Sequence, residues 1–204
     1  MKQRPLRYIA PMVRATLADT KTLTRRIVKD TALEWLERDG FTPEFVALPE
    51  NGLCPYGYKG DQLWVREAWR AVAEVDHLPP RDLNPAHRIW YEADAPHQPG
   101  FGKYRPSMFM PRWASRISLE ITSVRVERLQ DISEADAMAE GIAYGPTCDE
   151  EGRSGGYHWG RNREDEDVWP TAVQAFRQLW IGINGPDSWA ANPWVWAIEF
   201  RRLP

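Results

Sequence analysis

Cysteine is nearly absent. Cys54 and Cys148 are the two in a chain of 204 residues, and they lie far apart. They form no CxxC pair and no disulfide framework, which excludes a stapled secreted scaffold and fits a reducing cytoplasm. Cys54, just before Pro55, reads as a packed thiol, because a catalytic cysteine needs an identifiable base. Histidine is scarce as well, with four residues at positions 77, 87, 97 and 158. Without cysteine or a second histidine at ligand spacing they predict no metal site, and no cofactor is expected. No apolar stretch approaches the ~20 residues of a membrane span. The start carries basic residues but no apolar core before Arg14, so neither a secretory signal nor a membrane partner is expected. P-loop, GxGxxG, GxSxG and HExxH motifs are missing, as is any internal repeat.

Net charge is −3, too small and of the wrong sign for a chain that coats nucleic acid. The charge is unevenly placed, however. Residues 1–30 hold eight Lys/Arg against Asp19 and Asp30, and residues 134–168 hold ten Asp/Glu against three Arg. A positive patch on a mildly acidic protein suits a small anionic or polar ligand, or one short stretch of RNA backbone. The EDED run at 164–167 reads as solvated surface.

Apolar spacing predicts one α+β domain. Strands are expected at Leu6–Ile9, Leu23–Val28, Gln62–Val72, 88–92, Ile117–Val126 and Val195–Arg201. Helices are expected after Pro11, over Ala32–Arg38 with Gly40 as stop, after the Ser133 N-cap up to Gly141, and over Thr171–Ile183. The alternation slips at Ser123, which predicts a bulge. Residues 41–60 and 142–168 read as loops. The strand-rich stretch 62–126 predicts a small, mainly antiparallel barrel or curled sheet with helices packed beside it.

The chemistry concentrates in Lys21-Thr22-Leu23-Thr24-Arg25-Arg26. In a turn leaving a helix, Lys21 and Thr24 can face each other. Thr24 and Arg26 share a face once the chain becomes a strand. An amine among cations and partly desolvated releases its proton more readily. Such an amine could accept the proton of a hydroxyl nucleophile. Glu140 stands in the last helical turn before Gly141, where the helix dipole prefers a cation, a misfit that hints at function. Glu67 is a second carboxylate candidate for lining a pocket, or else the partner of an arginine.

KTLTRR after a short helix, GDQLWV at 60–65, VERLQDISEADAMAEGI at 126–142 and WVWAIEF at 194–200 occur in this order in ASCH domains. The chain therefore resembles the ASCH domains of the PUA-like superfamily. Within them it is similar to compact bacterial amidohydrolases that remove the acetyl group from the exocyclic amine of acetylated cytidine, and to phage and prophage ASCH-type proteins. Their signature Lys-Thr-x-Thr-x-Arg stands here as Lys21, Thr22, Thr24 and Arg26, and their acidic residue matches Glu140. The resemblance implies a PUA-like fold and hydrolysis of an acylated cytidine or related modified nucleoside. Thr24 would be the nucleophile, Lys21 the base and Glu140 the group that orients Lys21 or relays a proton. Arg26, Thr22, Arg25 and Glu67 would bind substrate. On this reading Lys21→Ala and Glu140→Ala fold normally and lose hydrolysis. PUA-like folds also read RNA and modified nucleotides, so a non-catalytic binding module is the alternative and a ribonuclease a third. The match covers residues 6–29, 60–72, 115–142 and 194–202. The extra segments near 31–59, 73–114 and 143–190 make the chain about twice as long as the compact enzymes. Asp19 also departs from the pattern, standing where they often have glycine.

Tryptophan is abundant, 11 residues from Trp35 to Trp196. Trp64, Trp180 and Trp196 sit in apolar patterns and are expected in the core. The rings in the extra segments are expected to anchor those insertions, each burying ~200 Å²; the alternative is that one or two stack on a base near the Lys21–Thr24 turn.

Overall fold

A computed structural model describes residues 1–38, 41–94, 100–146, 155–159 and 168–204. Gly40, His97, Cys148 and the EDED run lie outside the described residues. In chain order the elements are β1 (Gln3–Arg7), α1 (Ala10–Leu17), β2 (Leu23–Ile27), α2 (Asp30–Glu37), α3 (Pro43–Val46), β3 (Gln62–Arg66), β4 (Trp69–Ala71), β5 (Ile89–Tyr91), β6 (Ser118–Arg128), α4 (Glu134–Ala139), β7 (Ile142–Pro146), β8 (Gly155–Trp159), α5 (Ala172–Asn184) and β9 (Trp194–Arg202). The α+β class holds. Among the described residues no helix is long and apolar enough to cross a membrane.

The main sheet has the order β1-β3-β6-β9-β2. β1 runs parallel to β3, and the other neighbours are antiparallel. It does not close into the expected barrel. β1 and β2 remain edges, and the Arg26 guanidinium links them by donating to the Arg7 carbonyl at 2.9 Å. Side chains from both edges line a cavity at this opening. β6 carries the predicted bulge, a register shift between Ile121 and Ser123 against β9. Leu63, Leu119, Ile121, Val195 and Ile198 fill the core beneath, against Val13 of α1.

Three expectations change. The predicted strand 62–72 is two strands in different sheets. β3 pairs with β1 and β6, whereas β4 pairs with β5. The chain turns at Glu67, whose carboxylate is drawn into a two-pronged bond with Arg116 (2.9 and 2.9 Å). Alternating polarity continues through such a turn, so a sequence pattern does not reveal the change of sheet. Residues 142–168 are not one polar loop, because β7 and β8 form a hairpin within them. Residues 41–60 include α3 and bury Val46 and Cys54. Burial pushes the Cys54 thiol up to about 11, as befits a packed, unreactive cysteine.

The insertions behave differently from one another. The second has its own small core, in which fully buried Trp69 packs with Leu83, Met110 and Ala114. The third supplies α5, whose apolar face (Phe176, Leu179, Trp180) joins the main core. The Glu134 carboxylate accepts from the Ala172 and Val173 amides at the α5 N-terminus (2.7 and 3.4 Å), which ties α5 to α4.

Candidate active site

The turn after α1 delivers Lys21. The Asp19 amide bonds to the Thr16 carbonyl (3.1 Å) and the Thr20 amide to the Ala15 carbonyl (2.9 Å), a Schellman ending. This ending needs a left-handed residue, and Asp19 takes it at φ +56°. Aspartate, which tolerates left-handed backbone better than most residues, can stand at this position. The Asp19 carboxylate is held by Arg202 at 2.9 and 2.8 Å. Lys21 then forms a bridge with Glu140, and the Thr22 amide bonds to the Ala139 carbonyl (2.8 Å). Gly141 follows Glu140 at φ +96°, with Ala15 so near that an added Cβ would lie 2.9 Å from its methyl. Only glycine allows this close approach of the α4 ending to Lys21.

Lys21 and Glu140 meet as the sequence suggests. Nζ donates to Oε2 of Glu140 at 2.6 Å, to the Glu140 carbonyl at 2.8 Å and to the Leu23 carbonyl at 2.8 Å. The two residues are 1% and 2% exposed. Burial outweighs the pull of Glu140 and lowers the Lys21 pKa below its ordinary value, with Arg26 and Arg25 adding to the effect. The misfit of Glu140 at a helix C-terminus is thereby explained, since its charge answers buried Lys21 and Arg25 rather than the helix dipole.

Thr24 is fully buried, and its hydroxyl has no hydrogen-bond partner among the described residues. It does not bond to Lys21. Both instead converge on Tyr8, a residue the sequence reading passes over. The Lys21 ammonium lies 5.5 Å and the Arg26 guanidinium 5.8 Å from the centre of the Tyr8 ring. The Tyr8 and Thr24 hydroxyls lie near enough for hydrogen bonding from Thr24 to favour the Tyr8 phenolate, yet by distance and angle neither has a hydrogen-bond partner among the described residues. Burial pushes the Tyr8 phenol well above its usual range, so it remains a donor. The signal available was weak: one aromatic at the end of an edge strand, thirteen positions before Lys21.

The remaining predicted residues divide. Arg26 lines the cavity and donates to the carbonyls of Arg25 and Arg7 (2.9 and 2.9 Å). Arg25 lines it too, but its guanidinium is engaged by carboxylates. It bonds to Glu127 (2.5 and 3.0 Å), Asp136 (2.7 Å) and, more loosely, Glu140 (3.5 Å). Arg25 therefore positions Glu140 rather than gripping a ligand. Thr22 is corrected: its side chain is exposed away from the cavity, and its backbone serves the sheet by accepting from the Phe200 amide at 2.9 Å. Glu67 is corrected as well. It is saturated by Arg116, which also holds Asp94, and it does not line the cavity.

The cavity has a volume of about 750 Å³, well inside the range of small-molecule sites. One wall is polar, with Tyr8, Arg26 and Glu140. The other is apolar and comes from α5 (Phe176, Leu179, Trp180) with Trp196. Trp180 and Trp196, expected in the core, do double duty as core and wall. The Trp180 indole N–H is buried without a hydrogen-bond partner among the described residues. Thus the cavity wall carries two buried, unsatisfied donors.

An unsatisfied buried hydroxyl costs about 1 kcal/mol or more. Tyr8→Phe, which removes it and keeps the ring, is expected to raise thermal stability by a few degrees in a melting experiment. A loss of stability would show that the hydroxyl is bonded internally.

In comparisons with known proteins, no family model, no curated protein and no solved structure matches the chain.

Proposed function

We infer that the cavity is the active site of an amidohydrolase that removes an acyl group from the exocyclic amine of an acylated cytidine or a related modified nucleoside. The observation that carries this reading is the unpartnered, buried Thr24 hydroxyl beside the buried Lys21–Glu140 pair. Folding tolerates such groups at a cost, and a hydroxyl, an amine and a carboxylate buried together, with the carboxylate reaching the cavity wall, are the set that acyl transfer requires. The resemblance of the KTLTRR and VERLQDISEADAMAEGI segments to ASCH amidohydrolases supports it. With that reading goes a PUA-like assignment of the open sheet.

The chemistry follows from the contacts. The Lys21 proton passes along the 2.6 Å bond to Glu140, leaving a neutral amine. That amine takes the Thr24 proton as Oγ1 bonds to the amide carbon. The oxyanion meets the Tyr8 phenol and the Arg26 guanidinium. The C–N bond breaks as the Lys21 ammonium returns a proton to the departing cytidine amine. Water then hydrolyses the threonine ester to free carboxylic acid and Thr24. Tyr8 lines the cavity and Thr24 does not, so attack requires the wall to open at Thr24 while the Tyr8 hydroxyl stays at the carbonyl oxygen.

Binding of a modified nucleotide or RNA without turnover is a second reading, favoured by one observation. All three Lys21 hydrogens are already engaged and Thr24 is enclosed. Incubation with N4-acetylcytidine and with a mixed RNA ladder separates the readings. Cytidine released in step with added enzyme is the expected result. Binding without release overturns the hydrolase in favour of a binding module, and shortened RNA overturns it in favour of a nuclease.

A further inference from the structure

The charge lining the cavity does not balance. Glu140 is spoken for by Lys21 and Arg25, and Arg25 in turn by Glu127 and Asp136. What remains on the wall is Arg7, Arg26 and Lys29 against Asp30. Arg26 donates two of its five N–H hydrogens to backbone carbonyls, which leaves its charge uncancelled. Arg7 and Lys29 have no ion-pair partner among the described residues. The N-terminus of α2 borders the same space through Lys29, Asp30, Thr31 and Ala32, and no side chain caps it. Its dipole favours an anion, although Asp30 already stands in the first turn.

An independent observation points the same way. The Tyr8 hydroxyl and the Trp180 indole N–H are donors on the cavity wall, buried and unpartnered. A ligand that satisfies them offers acceptors, not donors. A ligand that balances three cations brings negative charge. A ligand that lies against Phe176, Leu179 and Trp196 has a flat apolar face.

We propose that the cavity takes a nucleoside 5′-monophosphate rather than a free nucleoside, with the phosphate held by Arg7, Lys29 and the α2 N-terminus. A phosphomonoester carries a charge of roughly −1.5 to −2 at neutral pH and three strong acceptors, which suits the surplus cations. The identity of the base as cytidine rests on the hydrolase reading above, whereas the phosphate site does not. A volume of about 750 Å³ holds one nucleotide, so a strand of RNA is the lesser fit.

Calorimetric titration of the whole chain with cytidine and with cytidine 5′-monophosphate tests this. The monophosphate is expected to bind at least about tenfold more tightly at low salt. The margin shrinks as salt rises, and inorganic phosphate competes at millimolar concentration. Arg7→Gln and Lys29→Gln are each expected to cut the preference at least threefold. Both side chains are solvent-facing, so folding survives, and circular dichroism confirms it. Equal affinity for the two ligands, no measurable binding of either, or an unchanged preference in both variants overturns the proposal. So does an oligocytidylate that binds more tightly than the monophosphate and displaces it. If the monophosphate is preferred but neither acetylcytidine nor its 5′-monophosphate is deacetylated, the hydrolase reading fails and the phosphate site stands.

Discussion

Lys21→Ala is expected to destabilise the fold by about 3–5 kcal/mol, because it breaks a buried ion pair from one side. In denaturant titration this would consume a large part of the stability of an ordinary domain. The Glu140 carboxylate, 2% exposed, would keep only Arg25 at 3.5 Å. The carbonyls of Leu23 and Glu140 would each lose their bond to Nζ. The sequence alone suggests that Lys21→Ala and Glu140→Ala fold normally and lose only hydrolysis, and the burial of both groups revises that expectation. An inactive Lys21→Ala protein would thus say nothing about catalysis. Lys21→Met combined with Glu140→Leu removes both charges and fills the space, and is expected to be more stable than the sum of the single losses by about 1–3 kcal/mol. If Lys21→Ala falls within 1 kcal/mol of the parent chain, the pair is not a buried support of the fold.

Much of this arrangement is legible before any coordinates, and the reasons differ by element. The bulge at Ser123 could be read because a slip in a two-residue period moves every later side chain to the other face. The Ser133 cap could be read because its hydroxyl needs a donor three residues on, and it finds the Asp136 amide at 3.0 Å. Lys21 and Glu140, though far apart in sequence, meet because a helix-ending turn and a helix C-terminus are both sites where a side chain can be aimed inward. What stays hidden is what depends on partners. That Glu67 pairs with an arginine is one of the two readings the sequence offers, but that the arginine is Arg116 follows from where β3 ends, and local pattern carries no trace of it. The role of Tyr8 depends on Lys21, Thr24 and Arg26 all reaching one ring, a three-way meeting that no spacing rule encodes. The open edge between β1 and β2 depends in the same way on the cavity formed there, which draws its apolar wall from an insertion outside the recognisable motifs.

Thr24→Val offers the cleanest separation of chemistry from folding. The swap usually costs stability, because threonine trades a hydrogen-bonded hydroxyl for a methyl group. Here the hydroxyl has no partner and the residue is fully buried. Valine keeps the shape, the β-branch and the strand preference, and it relieves an unsatisfied polar atom. The melting temperature is therefore expected to hold or to rise by a few degrees. Hydrolysis of N4-acetylcytidine is expected to fall by a factor on the order of 10⁴ or more, as when the nucleophile of a hydrolytic site is removed. Nucleotide affinity measured by calorimetry should be nearly unchanged, since Thr24 does not line the cavity. Stability kept, binding kept and turnover lost is a pattern that a structural role cannot produce. Turnover within tenfold of the parent would remove Thr24 as nucleophile, and the same Lys21–Glu140 pair would then have to act on water. A fall in stability with turnover intact would instead mean that the hydroxyl bonds inside the fold, and with it would go the argument that this threonine is held ready for an acyl group.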